Sequence, residues 1–193
     1  MVWYRSIKKQ TTGDLLKLSI GWLKKHNFVR ENTKLNGEIY WKRATDKGIS
    51  KVIASSKIVS NFIGENSYIE LSYTYNNENV DYKIQIITSE PNYGGKRYWF
   101  VCPQCGKKVA FLYFRQEFLC RHCLNLCYRT QQLGFTDRMM TMSKKYQNKV
   151  IYNDTKKRWL HWKTYHKLID KADYYEEQSF INIYKKLMKI INS

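Results

Sequence analysis

Only two prolines, Pro91 and Pro103, interrupt the 193 residues, and glycine is scarce at nine. A chain with so little of either is neither collagen-like nor a low-complexity linker. Acidic side chains are few as well: 16 Asp and Glu stand against 34 Lys and Arg, a net charge of +18. No long apolar run is present. The longest stretches, such as IQII at 84–87, are far too short to cross a bilayer. The opening MVWYRSIKKQTTGD lacks the apolar core of an export signal, so a cytoplasmic protein without a membrane partner is expected. Histidine is rare, at His26, His122, His161 and His166, and no HExxH, GxSxG or GxxxxGK[ST] occurs. Glu117, Asp137 and Asp154 are isolated carboxylates rather than a two-metal set. No catalytic residue is therefore assigned, and a non-enzymatic role is expected.

What is present is a globular composition, 43% hydrophobic and 16% aromatic, with strongly uneven charge. Residues 1–95 carry a net +5, residues 96–171 a net +13, and residues 172–193 are neutral. A field of that sign attracts polyanions, nucleic acid before anionic membrane. The plainer alternative is a basic surface that keeps the chain soluble.

Hydrophobic periodicity divides the chain in three. In residues 1–95, DLLKLSIGWLKKHN has the spacing of a helix, with Asp14 as its cap and Asn27 at its end. IELSYTY (69–75) and VDYKIQI (80–86) alternate about NNEN, a β-hairpin, and EIYWKR (38–43) and SKVIASS (50–56) extend the same sheet. In residues 136–193 a helix begins near Thr136 or Asp137, and a second runs from beyond Asp154 almost to the end. The stripe Phe180, Ile183, Tyr184, Leu187, Met188 and Ile191 reads as core or helix–helix contact. The expected fold class is α+β: an N-terminal helix packed on a small antiparallel sheet (1–95), a central zinc ribbon (96–135) and basic C-terminal helices (136–193).

The ribbon rests on Cys102-x2-Cys105-x14-Cys120-x2-Cys123. Each C-x2-C turn brings two sulfurs to one ion, and Pro103 and Gly106 suit the first bend. In a reducing compartment such brackets bind metal rather than form disulfides. Four thiolates make the closed tetrahedral set of one structural zinc ion, with iron in a rubredoxin-like site, two disulfides or a redox pair as the alternatives. RYWFVC leads in as a strand; KKVAFLYF leaves, turns at 115–117 and returns as FLC. His122 sits between two ligands and reads as a solvent- or phosphate-facing residue. Cys127 reads as a small buried side chain.

YGGKRYWFVCPQCGKKVAFLYF followed by FLCRHCLNLCYRTQ resembles the central block of a functionally uncharacterised family of bacterial zinc-ribbon proteins. LSIGWLKKHNFVR and LHWKTYHKLI (160–169) are similar to its flanking blocks. The resemblance implies a bacterial cytosolic protein with one metal, and no reaction.

Basic and aromatic residues interleave around the brackets: Lys96, Arg97, Tyr98 and Trp99, then Lys107, Lys108, Arg115, Arg121 and Arg129. A second cluster, Lys156, Lys157, Arg158, Trp159, His161, Trp162 and Lys163, precedes the last helix. Cations pair with phosphates and exposed rings stack on bases, so DNA or RNA binding with weak sequence preference is expected. Core packing is the competing role of Trp99 and Phe100. The alternative function is a protein–protein adaptor docking through the 180–191 helix.

Overall fold

A computed structural model of the chain describes residues 9–44, 50–64, 66–152 and 155–192. The opening octapeptide and Asp154, both used in the sequence reading, lie outside them. The described residues divide into two compact units, one ending at Tyr128 and one beginning at Arg129.

The first unit is mostly β-sheet. Strands β2 (Lys34–Ala44), β3 (Ser50–Asn61), β4 (Tyr68–Tyr75), β5 (Glu78–Ser89), β6 (Arg97–Val101) and β7 (Lys108–Val109) follow one another in a six-stranded antiparallel meander. β1 (Lys17–Ser19), β8 (Phe111–Phe114) and β9 (Phe118–Leu119) make a separate three-stranded antiparallel sheet in the order β1-β8-β9. Period-two alternation explains the long strands. Ile69 and Leu71 on β4, and Ile84 and Ile86 on β5, are buried on one face of the meander. Asn76 and Asn77, at φ 51° and 67°, close the β4–β5 hairpin as a two-residue turn in which Tyr75 pairs with Glu78. Left-handed φ at both turn positions matches the right-handed strand twist, and Asn tolerates it. A bulge between Trp41 and Lys42 interrupts the register of the longest hairpin, β2–β3.

This architecture corrects the α+β expectation of an N-terminal helix on a small sheet with an independent ribbon after it. The first helix, α1, covers only Ile20–Lys25. Residues 17–19 are strand instead, because Leu18 pairs with Leu112 and is buried between elements distant in sequence. Ser19, not Asp14, caps α1 by accepting a hydrogen bond from the Trp22 N–H. Asp14 accepts from the Thr11 N–H and hydroxyl, at 2.8 and 2.9 Å. Asn27, at φ 64°, ends the helix as expected. The ribbon strands are likewise absorbed. β6 and β7 complete the six-stranded sheet, while β8 and β9 join β1, and the chain changes sheet at Ala110. One core unites them, with Leu23, Ile58, Phe100, Leu112 and Phe118 among its members.

The second unit holds α2 (Arg129–Gln132), α3 (Phe135–Val150), a two-residue hairpin pair β10 (Ile151–Tyr152) and β11 (Thr155–Lys156), and α4 (Trp162–Ile191). α3 and α4 pack through Ala172 and Ser179, with Tyr146 stacked on Tyr175 at 5.7 Å. Thr136 donates to Asn182, and Ser179 to the Thr136 carbonyl, at the other end of the pair. The stripe from Phe180 to Ile191 is not the contact surface read from its spacing; its residues lie on exposed parts of α4. No described helix is long and apolar enough to cross a membrane.

Candidate metal centre

The first bracket is a turn between β6 and β7. The Cys102 N–H donates to the Lys107 carbonyl at 3.0 Å and the Gly106 N–H to the Cys102 carbonyl at 2.8 Å. Gly106 takes φ 68°, a left-handed conformation that costs glycine least. The second bracket follows β9. The Leu124 N–H donates to the Cys120 carbonyl, the Asn125 N–H to the His122 carbonyl and the Leu126 N–H to the Arg121 carbonyl, with Asn125 at φ 51°. Both turns are thus closed by main-chain hydrogen bonds around their cysteines.

All four sulfurs lie within 4.8 Å of one another. Cys102 and Cys123 are 3.9 Å apart, Cys105 and Cys120 3.7 Å, and Cys120 and Cys123 3.5 Å. Four thiolates about 2.3 Å from a common tetrahedral ion stand about 3.8 Å apart, so the cluster has the size to hold one ion. The cysteines are free, and disulfide bonding would need sulfurs at about 2.05 Å. Cys102 and Cys120 are buried in the core, while Cys105 is exposed and Cys123 partly so. Each bracket would therefore supply one inner and one outer ligand to an ion.

Main-chain amides stabilise negative sulfur here. The Cys120 N–H points at Cys102 Sγ and the Cys123 N–H at Cys120 Sγ, both at 3.4 Å. Burial pushes the Cys102 thiol up, but amides of Cys105, Cys120 and Gln104 outweigh it and bring its pKa down to about 7. Burial raises Cys120, against the Cys123 amide and thiol that lower it, and burial with the three neighbouring thiols raises Cys123. Metal must therefore displace protons from these two sulfurs on binding.

The ion would join the two sheets, since one bracket forms the last turn of the meander and the other follows β9 of the three-stranded sheet. The hairpins at the junction are short: β6–β7 and β8–β9 each have two paired positions. Two tyrosines reinforce it. Tyr73 donates to the Gln116 carbonyl at 3.1 Å and Tyr82 to the Phe118 carbonyl at 3.2 Å, from the core face of β4 and β5. Burial foremost, with Glu117 nearby, raises both phenols and keeps them as donors. Their alternation placed them on the sheet; that they reach the bracket segment appears only in three dimensions.

His122 points to Arg121, 3.2 Å away, and is no member of the cluster. Cys127 is buried against the Lys9 and Gln10 carbonyls and is also outside it.

The basic residues fall into two sets. In the first unit, Lys96 pairs with Glu31 at 2.8 Å, and the Arg97 guanidinium lies 4.0 Å from the Trp99 ring centroid. Lys107 and Lys108 are exposed beside the first bracket. Arg115 donates to the Gln10 side chain at 2.7 Å. Arg121 donates to the Leu126 carbonyl at 3.2 Å and covers the Tyr128 ring, a supporting role in the second bracket. Phe100 is core, whereas Trp99 is half-buried and donates to the Ser89 hydroxyl.

The second set, together with exposed Arg129 on α2, belongs to the second unit. Lys156 donates to the Lys157 and Leu160 carbonyls and sits over the Trp162 ring at 4.6 Å. Lys157 donates to the Asn148 carbonyl at 2.9 Å and lies 5.9 Å from the Trp159 ring. Arg158 and Lys163 are exposed, as are Trp159 at 77% and Trp162 at 59%. These two lysines hold main-chain carbonyls as well as offering charge, which composition alone did not reveal.

No family model, no curated protein and no solved structure matches the chain.

Proposed function

We propose that the protein is a zinc-stabilised nucleic-acid-binding protein of the bacterial cytoplasm. In this reading the four cysteines hold one structural zinc ion, and exposed cations and indoles make the contacts. The zinc assignment is supported by a complete thiolate set at tetrahedral spacing, which leaves no ligand position for water. The resemblance of the cysteine block to bacterial zinc-ribbon proteins points the same way.

The observation that carries the nucleic-acid reading is the exposure of Trp159 and Trp162, each beside a lysine and flanked by Arg158 and Lys163. Indoles held open to solvent next to cations suit stacking on bases with phosphates alongside. Its test is binding of the zinc-loaded protein to duplex DNA, single-stranded DNA and RNA across a salt series. For duplex, log K should fall with log salt by about 0.9 per phosphate contacted. Arg158→Gln with Lys163→Gln should reduce that slope by about two contacts and leave the melting temperature in place. Absence of binding at low salt would overturn the reading.

A second reading, a protein adaptor, is favoured by the exposed α4 stripe from Phe180 to Ile191. It is distinguished by partner binding that survives high salt and is lost on polar substitution of Tyr184 and Leu187.

A further inference from the structure

On the first unit, away from the cysteines, a groove of about 290 Å³ runs between the start of α1 and the start of β6. Its walls are apolar, formed by Ile20, Ala110 and Phe111 with the Tyr98 ring. Three cations line it: Lys24 from α1, and Lys96 and Arg97 from β6 and the residue before it. Phe111 is 42% exposed although it is a strand residue, and Lys17 covers its ring at 5.1 Å. The Lys24 ammonium lies 5.4 Å from the Tyr98 ring centroid.

This pairing of chemistries is specific. An apolar slot with a partly exposed aromatic ring takes a flat, uncharged group. Cations at its edge take an anion joined to that group. The volume is near the lower end for small-ligand sites, enough for one flat group with its anion. We propose that this groove binds one nucleotide unit of a single strand, the base against Phe111 and Ile20 and the phosphate at Lys24, Lys96 and Arg97. The inference rests on the nucleic-acid reading and deepens it, by naming single strands as the partner and adding Lys24 and Phe111 to the contacts.

Glu31 gives the groove a property that a plain basic patch lacks. Its carboxylate takes the Lys96 ammonium at 2.8 Å and the Tyr98 hydroxyl at 3.1 Å. Those two hydrogen bonds, with the Lys24 charge beyond them, hold its carboxyl below the usual range. A phosphate at the groove must compete with this carboxylate for Lys96. Removing the carboxylate charge should therefore strengthen binding, the opposite of what damage to a site does.

The test uses the full chain and a short labelled oligodeoxyadenylate, with a hairpin duplex as control. Phe111→Leu keeps the wall apolar and removes the ring; single-strand affinity should fall about fivefold or more while duplex affinity stays within about twofold. Lys24→Gln should reduce the single-strand salt slope by about 0.7. Glu31→Gln should tighten single-strand binding about twofold to fivefold at low salt, an advantage that fades as salt screens it. Competition by free adenosine monophosphate separates the two sources of this chemistry. Displacement at matched nucleotide concentration assigns the groove to free nucleotides; displacement only in large excess assigns it to strands. Unchanged single-strand binding in Phe111→Leu and Glu31→Gln, with duplex and single strand still bound, would overturn the groove and leave the broader reading standing. Failure to bind any nucleic acid would overturn both.

Discussion

Among the four ligands, Cys105 isolates the metal's contribution best, because its side chain is exposed and fills no core space. Cys105→Ser should lower bound zinc from about one ion per chain to a small fraction, and stability should fall by several kcal/mol. Cys127→Ser is the control. That sulfur is buried but lies outside the cluster, so metal content should remain at one while melting shifts modestly. Elemental analysis and thermal melts of the two variants separate ligand from filler.

The cysteines also set a pH dependence. Cys120 and Cys123 are raised above the ordinary thiol value, so near pH 8 metal uptake should release at least two protons per ion. Cys102, at about 7, is already largely ionised there. Affinity should therefore rise with pH, and should fall more steeply below about pH 7, where Cys102 also takes a proton. In the metal-free chain the signs divide. The raised thiols favour the folded state below about pH 8.5 and lose that contribution as pH rises through their folded values. Lowered Cys102 contributes above about 8.5 and loses its contribution as pH falls to about 7. Proton release measured with an indicator dye during zinc titration checks the count.

At the scale of elements, the β4–β5 turn offers a change with a definite sign. Asn77 has φ 67°. Asn77→Gly removes the side-chain cost of that conformation and should stabilise the first unit by about 0.5 kcal/mol, read from denaturant midpoints. This hairpin was legible in the sequence because its signals are local: alternation on both sides and asparagines between. The metal brackets were legible for the same reason, since ligand type and spacing lie within a few residues. The sheet architecture was not. Residues 14–19 carry helical spacing, yet Leu18 finds its partner at Leu112, and no local pattern records a pairing across that distance. The ribbon's absorption into two sheets is hidden likewise, because β7 and β8 read as one strand and change sheet at Ala110. For the α4 stripe, spacing gave its helical face but not whether that face meets α3, which is met by Ala172, Tyr175 and Ser179 instead.

For the whole molecule, an ion at the four cysteines would strengthen a particular region. The first unit has only short hairpin pairings, of two positions each, beside the junction of its sheets. An ion tied to both brackets would cross-link that junction and fix a segment rich in positive charge. Most of the net +18 lies in residues 96–171. Charge of that sign is suited to polyanions, and under the nucleic-acid reading association should be strongly salt-dependent. The central claim, that one ion is held by all four thiolates, is tested most directly by X-ray absorption at the metal edge of the purified full-length protein. The expected result is one zinc per chain with four sulfur neighbours at about 2.3 Å and no lighter ligand. A shell containing nitrogen or oxygen in place of a sulfur, or protein that folds fully without any metal, would contradict it.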